Sequence, residues 1–515
     1  MATAVVERRE LLKALNWYDG FVIALANPGF LLGSLGYTVV DLGGWGSTVI
    51  WGFSALLAVF IMTIYSEMAA MFPDKPGGFP LYAHEGWRKY LTLVGPVATF
   101  GYWIGWSVVL SVFGLFIGTI VQGNWFPGEP IGSPYGDGYF STGPVEFGLS
   151  QCVAVGLILA VWVFNILGVR VGVTFGYLAG ALLMIPLFCF IFLGYLTGDF
   201  TTANLDWGKL DGSNTIDGAT TDYSSWEVLR LVLVWLWIMS WSSWGVDTCA
   251  TFAPEYKDTV NDTKLALRSA ALFSLAVYTL LPLGLVGSVG AETVGLFDYV
   301  GALRTLTGSE GLTDVFVIII IASFVISMNT ATADGGRALY GIARDDMTVK
   351  ELYHLNRFHV PGRAMTLDMV VNILFVFWVG SILGILVASN IGYVLAHFFA
   401  LTAFILLRRD RPNWPRPIRL PDYWVPIAGV LAFLVAVFTI FGVGWMQVAN
   451  DGVVYGGTEE KLIGFAVLAI SIVLFLFRRI VQDGEAPHWR EETPLLPGAA
   501  EQALIDQEMR PEPSV

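Results

Sequence analysis

Charged residues and cysteines are scarce in this chain of 515 residues. Only 14% of the residues are charged, 55% are hydrophobic, and the mean hydropathy is +0.65, which lies outside the range of soluble globular domains. The cysteines, Cys152, Cys189 and Cys249, have neither the CxxC spacing of a metal site nor the loop positions of a disulfide framework. We therefore predict an all-α integral membrane protein with buried cysteines, no metal site and no cofactor.

Motifs of catalysis and of nucleotide binding are also missing. The sequence has no HExxH, no GxSxG and no Walker-type phosphate loop. We therefore predict that the protein is not an enzyme, and that any active transport is secondary, driven by an ion or by exchange. The net charge of −14 argues against a nucleic-acid partner.

Apolar runs of about 20 residues, the length that crosses a bilayer as a helix, recur along the chain. We predict about twelve spans, numbered in chain order: 17–42, 47–72, 91–121, 148–167, 170–196, 226–254, 264–290, 313–340, 364–382, 384–407, 424–446 and 460–478. The first run follows a charged segment and lacks a cleavage site, so we expect it to remain in the mature protein.

The basic residues favour one orientation of these spans. With the N-terminus in the cytoplasm, only Lys209, Arg230, Arg304 and Lys461 of the 28 lysines and arginines lie outside, as the positive-inside rule requires. We therefore predict a multi-pass protein of the cell membrane with both termini cytoplasmic. Residues 1–16 form the N-terminal segment, and the proline-rich, acidic residues 479–515 are expected to be a disordered tail.

Two spans contain sequences that interrupt a helix. Span 1 contains Ala26-Asn27-Pro28-Gly29-Phe30, and span 6 contains Ser240-Trp241-Ser242-Ser243-Trp244-Gly245. Proline lacks an N–H and glycine tolerates non-helical conformations, so we predict that both spans are unwound at mid-membrane. Paired interruptions at corresponding places of two halves are typical of secondary transporters. The alternative is that Pro28 only kinks a packed helix.

Spans 1 and 6 would each begin a group of five helices. Because five is odd, the two groups enter the membrane from opposite sides and form inverted repeats. We predict repeats at residues 17–196 and 226–407, followed by two additional helices at 424–478. This arrangement suits alternating access around a central site at the two interruptions.

Three motifs resemble those of the amino acid-polyamine-organocation permease superfamily. They are SEMAAMFP at 66–73 followed by Gly77-Gly78, the run from Gly245-Val246-Asp247 to residue 258, and GRALYGIARD at 336–345. In order and spacing, the resemblance covers roughly residues 15–410. It implies the leucine-transporter-type fold and a cargo of amino acids, polyamines or related amines. The superfamily usually has a Gly-Ser-Gly type of segment where this chain has Asn27-Pro28-Gly29, and Pro28 removes one backbone donor.

An amino acid needs donors for its carboxylate and acceptors for its ammonium group, and half-helix ends supply both. The N–H groups of Gly29 and Phe30 would hold the carboxylate, as the resemblance implies, while carbonyls around Ala26, Ser240 and Trp241 would accept from the ammonium group. The predicted substrate-binding residues are Ala26, Asn27, Gly29, Phe30, Ser240, Trp241, Trp244 and Asp247, with Pro28 and Gly245 as hinges.

Two residue types in this set have alternative interpretations. Trp241 or Trp244 could close over the substrate and attract a cationic cargo, but tryptophans also simply pack membrane helices. Asp247 is the acid deepest in a span, where a charge is costly, and could bind a cationic substrate or carry a coupling proton. It could also only stabilise the start of the inner half of span 6.

Span 8 offers candidate ligands for a coupling ion. Ser327, Asn329 and Thr330, with Asp247, supply oxygens of the kind that a sodium site beside span 1 would use, although hydroxyls also serve interhelical hydrogen bonds. The predicted partners are thus the lipid bilayer, an amino acid or amine, and a proton, a sodium ion or a counter-substrate.

Other polar residues and other classes of protein remain open at this point. Glu67, Asp334 and Arg337 could form an inner gate and His397 lies in span 10, but solvated helix ends and a satisfied core histidine are the ordinary interpretations. A transporter-like membrane sensor or receptor is the alternative function, and it would need an output domain or a partner. A membrane-embedded enzyme is a further alternative without a motif to support it.

Overall fold

The architecture is taken from a computed structural model. It describes residues 11–494 except 12, 26, 134, 169–176, 178–179, 181–182, 217–218, 296–297, 380–381, 446–447, 451–452 and 456, and it leaves undescribed the side chains of 27–30, 214–216, 219–221, 448–450, 453–455 and 459. Ala26 and the side chains of Asn27, Pro28 and Phe30, which the sequence places in the site, therefore lie outside the described residues.

The chain forms a bundle of helices, as predicted. They are α1 Trp17–Ala24, α2 Asn27–Met71, α3 Gly78–Trp87, α4 Val94–Ser107, α5 Val109–Trp125, α6 Leu149–Ile166, α7 Leu183–Thr197, α8 Ser225–Ser243, α9 Thr259–Gly295, α10 Tyr299–Thr307, α11 Glu310–Arg344, α12 Gly362–Trp378, α13 Ile382–Asp410, α14 Trp424–Trp445 and α15 Thr458–Phe477. Within the described ranges, nine helical segments are long and apolar enough to cross a membrane. The prediction of an all-α membrane protein is confirmed.

The turn between spans 1 and 2 lies inside α2. Gly43 has φ 65° and ψ −175°, so the helix reverses there although the helical segment continues on both sides. A Cβ atom at Gly43 would lie 2.1 Å from the Asp206 carboxylate oxygen Oδ1. Both the positive φ and this close approach require glycine.

Three short β-hairpins occupy loops between the helices. Their strands pair antiparallel as β1 Phe140–Thr142 with β2 Val145–Phe147, β3 Ser213–Ile216 with β4 Ala219–Asp222, and β5 Val448–Asn450 with β6 Val453–Tyr455. Each hairpin follows an odd-numbered span, so all three lie at the same end of the bundle. The spans themselves contain no strand among the residues that the structure describes.

Both ends of the described chain lie at the other end of the bundle, which we call the terminal face. Leu15 pairs with Tyr256 in a parallel β-bridge, and the backbone N–H groups of Ala14 and Leu15 both donate to the Glu255 carbonyl at 2.9 Å. The N-terminal segment is thereby attached to the chain that follows span 6.

Part of the C-terminal segment is ordered, which corrects the prediction of a disordered tail from residue 479. The Thr92 backbone N–H donates to the Trp489 carbonyl at 3.0 Å, and the Glu491 side chain pairs with Arg88 at 2.6 Å and with Arg479 at 2.7 Å. The local composition of this segment predicted disorder. The segment is ordered by contacts with basic residues of the terminal face that are distant in sequence, and local composition contains no information about such contacts. Residues 495–515 lie outside the described residues.

Candidate functional site

Span 1 is interrupted between the end of α1 at Ala24 and the start of α2 at Asn27. Helix α1 ends at Ala24, the Leu25 N–H donates to the carbonyls of Phe21 and Val22 at 3.1 Å, and α2 begins at Asn27. Pro28 is thus in the first turn of α2, where a missing N–H costs no helical hydrogen bond. The new helix starts two residues earlier than the predicted start near Gly29, because proline is accommodated in its first turn.

This helix start leaves backbone donors available. The first four N–H groups of a helix have no acceptor within the helix, and Gly29 and Phe30 are the third and fourth residues of α2. Their N–H groups therefore belong to the set that binds anions at a helix N-terminus. Their role as carboxylate donors stays a prediction.

Span 6 is interrupted by a change of helix type. Helix α8 ends at Ser243, and a 3₁₀ segment, Gly245–Ala250, follows it. The Trp244 N–H donates to the Ser240 carbonyl at 3.1 Å, so that carbonyl is not left open for an ammonium group as the sequence analysis expected. The Ser240 hydroxyl likewise donates within the helix, to the Trp237 carbonyl at 2.6 Å.

The two interruptions lie in one region of the bundle. On the side of the terminal face, α1 packs against the 3₁₀ segment, and the Cys249 thiol donates to the Gly20 carbonyl at 3.4 Å. Helix α11 reaches the same place, because the Thr330 hydroxyl donates to the Ile23 carbonyl at 3.4 Å. The structure therefore brings together spans 1, 6 and 8 where span 1 is broken.

Asp247, in the 3₁₀ segment, is the centre of a buried polar cluster. Its carboxylate oxygen Oδ2 accepts from the Tyr393 hydroxyl at 2.7 Å and lies 3.1 Å from His397 Nε2, while His397 Nδ1 is hydrogen-bonded to the Tyr65 hydroxyl at 2.7 Å. Asp247 is 0% exposed, and its second oxygen, Oδ1, has no hydrogen-bond partner. The Trp106 indole and the backbone of Thr248 also interact with the carboxylate, so Asp247 stabilises the start of the 3₁₀ segment, and Oδ1 is the oxygen without a close hydrogen bond.

The two candidate tryptophans differ in their surroundings. Trp244 is fully buried, donates its indole N–H to the Ser54 carbonyl at 3.1 Å, and meets the His397 ring edge-on at 5.0 Å. Trp241 retains 5% exposure and donates to the Gly105 carbonyl at 2.7 Å. Trp244 is therefore a packed core residue, and Trp241 is the better candidate for a gate.

Trp241 lines a cavity on the side of the bundle away from the terminal face. The cavity is small and is lined by Ser34, Tyr37, Trp235, Ile238, Trp241, Leu383, Leu386, Val387 and Asn390. The Asn390 amide donates to the Trp237 carbonyl at 2.6 Å, while its buried oxygen has no partner. The cavity is thus mostly apolar, with one unpaired acceptor.

Of the span 8 candidates, Thr330 contacts span 1 through the Ile23 carbonyl. The Asn329 side chain faces α6 and accepts from the Asn165 amide at 3.0 Å, and the Ser327 hydroxyl donates to the Ser323 carbonyl of its own helix at 3.2 Å. Asn329 thus forms the interhelical contact that was the alternative interpretation. The predicted ion site remains a prediction, with Thr330 as the member that is placed beside the break.

Two further buried carboxylates continue this region: Asp334 interacts with Asp247, and Asp368 interacts with Asp334. Asp334 in α11 accepts from the Thr251 hydroxyl, and Asp368 in α12 accepts from the Trp103 indole N–H at 3.0 Å. Both side chains are 0% exposed. Sequence reasoning placed Asp334 at a gate and missed Asp368, although an acid inside an apolar span is the signal that singled out Asp247.

The carboxylates at the terminal face have a different environment. Glu67 lies 2.6 Å from Arg408, and Arg337 pairs with Glu255 while both are buried. These pairs connect helices that the sequence separates widely. They agree with a structural role for Glu67 and Arg337, two of the residues that the sequence analysis considered for an inner gate.

Glu85, in α3 at the same face, is also paired. It lies 2.7 Å from Lys75 and 2.8 Å from Arg411. Burial alone would raise the pKa of Glu85, but the positive charges of Lys75, His84, Arg411 and Arg88 outweigh burial and hold the pKa at about 2. Glu85 is therefore ionised throughout the physiological range.

Comparison with known proteins identifies the class of this transporter-like bundle. The model of the amino acid permease family matches residues 15–475, which include every helix from α1 to α14 and nearly all of α15. The chain belongs to this family. It is a multi-pass membrane protein that transports amino acids and is not an enzyme, as predicted.

Three curated relatives show how distant the similarity is. A gamma-aminobutyric acid permease of Bacillus subtilis is 18% identical over 92% of this chain and 96% of its own length. The glutamate/serine transporter AimA of the same organism is 21% identical over 82% of this chain and 75% of its own length. A branched-chain amino acid permease of Lactococcus lactis is 24% identical over 43% of this chain and 47% of its own length.

Proposed function

We propose that this permease moves its amino acid by alternating access around a central site at the interruptions of spans 1 and 6. The observation that carries the proposal is the contact between the two interrupted helices: α1 meets the 3₁₀ segment through Gly20 and Cys249, at 3.4 Å, next to the buried carboxylate Asp247. Interrupted helices that meet beside a buried polar group are typical of transporter sites.

The ends of the half-helices would bind the common part of an amino acid. The N–H groups of Gly29 and Phe30, at the N-terminus of α2, would hold the carboxylate. The unpaired oxygen of Asp247, together with backbone carbonyls near Ala26 and Trp241, would accept hydrogen bonds from the ammonium group. A carboxylate partner for the ammonium offsets the cost of burying that charge.

The cavity beside Trp241 would receive the side chain. Its walls are mostly apolar and aromatic, and no lysine, arginine or histidine is among the described residues that line it. A neutral apolar side chain fits such a lining, whereas an acidic side chain would be buried without a partner. We therefore propose a neutral zwitterionic amino acid as substrate. Branched-chain amino acids, after which the Lactococcus lactis relative is named, belong to this class.

The repeats, the orientation and the energy source complete the proposal. Residues 17–196 and 226–407 would form the two inverted repeats and residues 424–478 the additional helices. The terminal face would be cytoplasmic and the protein would lie in the cell membrane, because this face carries most of the basic residues. Transport would be coupled to a proton, to sodium or to a counter-substrate.

Uptake by proteoliposomes tests the proposal. Purified protein would be reconstituted and supplied with radiolabelled leucine, serine, glutamate, gamma-aminobutyrate or a polyamine, with labelled leucine also tested by counterflow against internal leucine. Saturable uptake of neutral amino acids, with competition among them, is expected. If none of these solutes were taken up and leucine showed no counterflow, with the fold confirmed, the result would favour a sensor and refute the proposal.

Trp241→Ala sharpens the assignment of the cavity. Removing this wall and its hydrogen bond should raise the half-saturating concentration by about tenfold, equivalent to roughly 1.4 kcal/mol of binding free energy. Trp226→Ala is the matched control, because Trp226 begins the same helix and is 52% exposed. Equal effects of the two substitutions would show that the Trp241 cavity does not bind the side chain.

A further inference from the structure

Asp334 and Asp368 form a carboxylate pair outside the proposed amino acid site. Asp334 in α11 and Asp368 in α12 are each fully buried, and they interact electrostatically with each other. Asp334 Oδ1 is hydrogen-bonded to the Thr251 hydroxyl, and Asp368 Oδ1 accepts from the Trp103 indole N–H. The Tyr102 and Thr248 hydroxyls also interact with Asp334, and the Ser107 hydroxyl interacts with Asp368, but neither Oδ2 has a partner at close hydrogen-bonding distance. Buried polar atoms without a partner are uncommon and call for an explanation.

No cation compensates this pair among the ion pairs of the described residues. Arg337 lies one turn further along α11, but its guanidinium binds Glu255 and the Ala333 carbonyl. The titratable groups that face Asp334 from other elements are Tyr102 of α4, Asp247 and Cys249 of the 3₁₀ segment, Asp368 of α12 and Tyr393 of α13. None of these groups supplies a positive charge.

The remaining titratable groups nearby are engaged elsewhere. From α2, Tyr65 is hydrogen-bonded to His397 and Glu67 is paired with Arg408, and from α1, Asp19 binds Tyr177. Asp368 faces Asp334, the Trp103 indole and the Ser107 hydroxyl. Two ionised carboxylates without a counter-ion are strongly disfavoured in such a dry environment.

Hydrogen counting at Thr251 indicates where a proton resides. The Thr251 hydroxyl lies within hydrogen-bonding distance of two acceptors, the Thr248 carbonyl at 2.8 Å and Asp334 Oδ1, but a hydroxyl has one hydrogen to donate. Both contacts are satisfied if Thr251 donates to the Thr248 carbonyl and accepts from a protonated Asp334. If Asp334 is ionised, the single hydrogen of the Thr251 hydroxyl can bond to Asp334 or to the Thr248 carbonyl, and the other oxygen then has no hydrogen bond from Thr251.

The partners of Asp368 argue for a proton over a metal cation. A sodium or other hard cation requires several oxygen ligands around it, whereas the contact to Asp368 Oδ1 is the N–H of Trp103 at 3.0 Å. The N–H donor thus occupies one of the two oxygens of Asp368, which leaves fewer oxygen ligands for a cation. A proton neutralises the carboxyl group and needs no such shell.

We propose that Asp334 and Asp368 bind the proton that drives transport, at a site separate from the amino acid. The inference rests on the proposed function. A proton from water forms an O–H bond on Asp334, and the resulting carboxyl group donates to Thr251. When the 3₁₀ segment moves away from α11 during alternating access, this bond breaks and the proton is released to water on the other side.

Proton and amino acid fluxes in the same proteoliposomes test the proposal. Wild-type protein, Asp334→Asn and Asp368→Asn would be compared for labelled leucine uptake and for the signal of an internal pH-sensitive dye, under imposed pH or sodium gradients. An asparagine cannot bind and release a proton, so each substitution should abolish the proton movement that accompanies leucine uptake. Asp314→Asn is the control, because Asp314 is an exposed acid on the same helix.

Each outcome has one meaning. The proton site would be overturned if both asparagine variants moved as many protons per leucine as wild type. It would also be overturned if the wild-type protein accumulated leucine in response to a sodium gradient without a change of the internal pH. Absence of counterflow in the wild-type protein would overturn the proposed function instead. If the asparagine variants do not fold, Thr251→Val is used instead, because it removes the hydroxyl that contacts Asp334. This variant should shift the pH at which leucine counterflow is half-maximal relative to wild type. An unchanged pH profile would overturn the inference.

Discussion

Six carboxylates among the described residues are at most 2% exposed, and these six form two sets with opposite surroundings. At the terminal face, each one has a lysine or arginine partner, and the members of this paired set are Glu67, Glu85 and Glu255. In the middle of the bundle, the partners are hydroxyl, indole and imidazole groups, and the members of this unpaired set are Asp247, Asp334 and Asp368. All six are at most 2% exposed, so burial does not distinguish them.

The difference separates a structural use of charge from a functional one. A buried carboxylate with a well-placed cation needs nothing else, and removing the partner is costly. A buried carboxylate with a free oxygen can bind a proton or an ammonium group and release it again. The paired set would therefore hold the terminal face together, and the unpaired set would carry the ligands.

The largest effect on stability is expected at the pair of Glu255 and Arg337. Glu255→Gln leaves the Arg337 guanidinium buried without its counter-ion, and loss of one partner of such a pair costs about 3–5 kcal/mol. The thermal midpoint of the purified protein in detergent should fall by many degrees. The exposed pair of Arg304 and Glu310 is the control: Arg304→Ala should change stability by at most about 1 kcal/mol, and an equal loss in both variants would contradict the comparison.

A smaller, pH-dependent effect is expected at Glu85. Its folded-state pKa of about 2 lies below the ordinary value of 4.5, so its stabilising contribution is fully present above about pH 4.5 and is lost as the pH falls towards 2. At about 1.4 kcal/mol per tenfold change in proton affinity, the contribution is on the order of 3 kcal/mol. The stability difference between wild type and Glu85→Gln, measured from pH 7 to pH 3, should therefore shrink with falling pH. A constant difference would show that ion pairing does not stabilise Glu85.

Much of the architecture could be predicted from local sequence. Apolar length predicted the spans, and Pro28-Gly29 and the run ending in Gly245 predicted the two interruptions, because helix breaking depends on the residues themselves. Helices α3 and α10 were missed because they are too short to cross a membrane. The docking of Glu491 on Arg88 and Arg479 was missed because it depends on residues that are distant in sequence.

The candidate site shows the same limit more sharply. Asp247 could be found because an acid within a span is unusual, but its contacts with Tyr393 and His397 depend on how span 10 packs against the 3₁₀ segment. The different environments of Trp241 and Trp244 also depend on packing, since the two residues lie in the same short sequence. Sequence therefore supplied candidates, and the packing of the helices sorted them.

Among these carboxylates, the smallest effect on stability is expected at Asp247. There the change in leucine binding should be clearer than the change in stability. Asp247→Asn removes a charge that has no lysine or arginine partner among the described ion pairs and keeps an acceptor for the Tyr393 hydroxyl, so stability should change by less than about 1.5 kcal/mol. The variant should nevertheless weaken leucine binding by about tenfold, since the ammonium group loses a charged acceptor worth about 1.5–3 kcal/mol. Thermal midpoints and half-saturating concentrations, measured on the same preparations as Glu255→Gln, check both statements. A large loss of stability with unchanged leucine affinity would place Asp247 with the structural carboxylates, and the division into two sets would then fail at its central member.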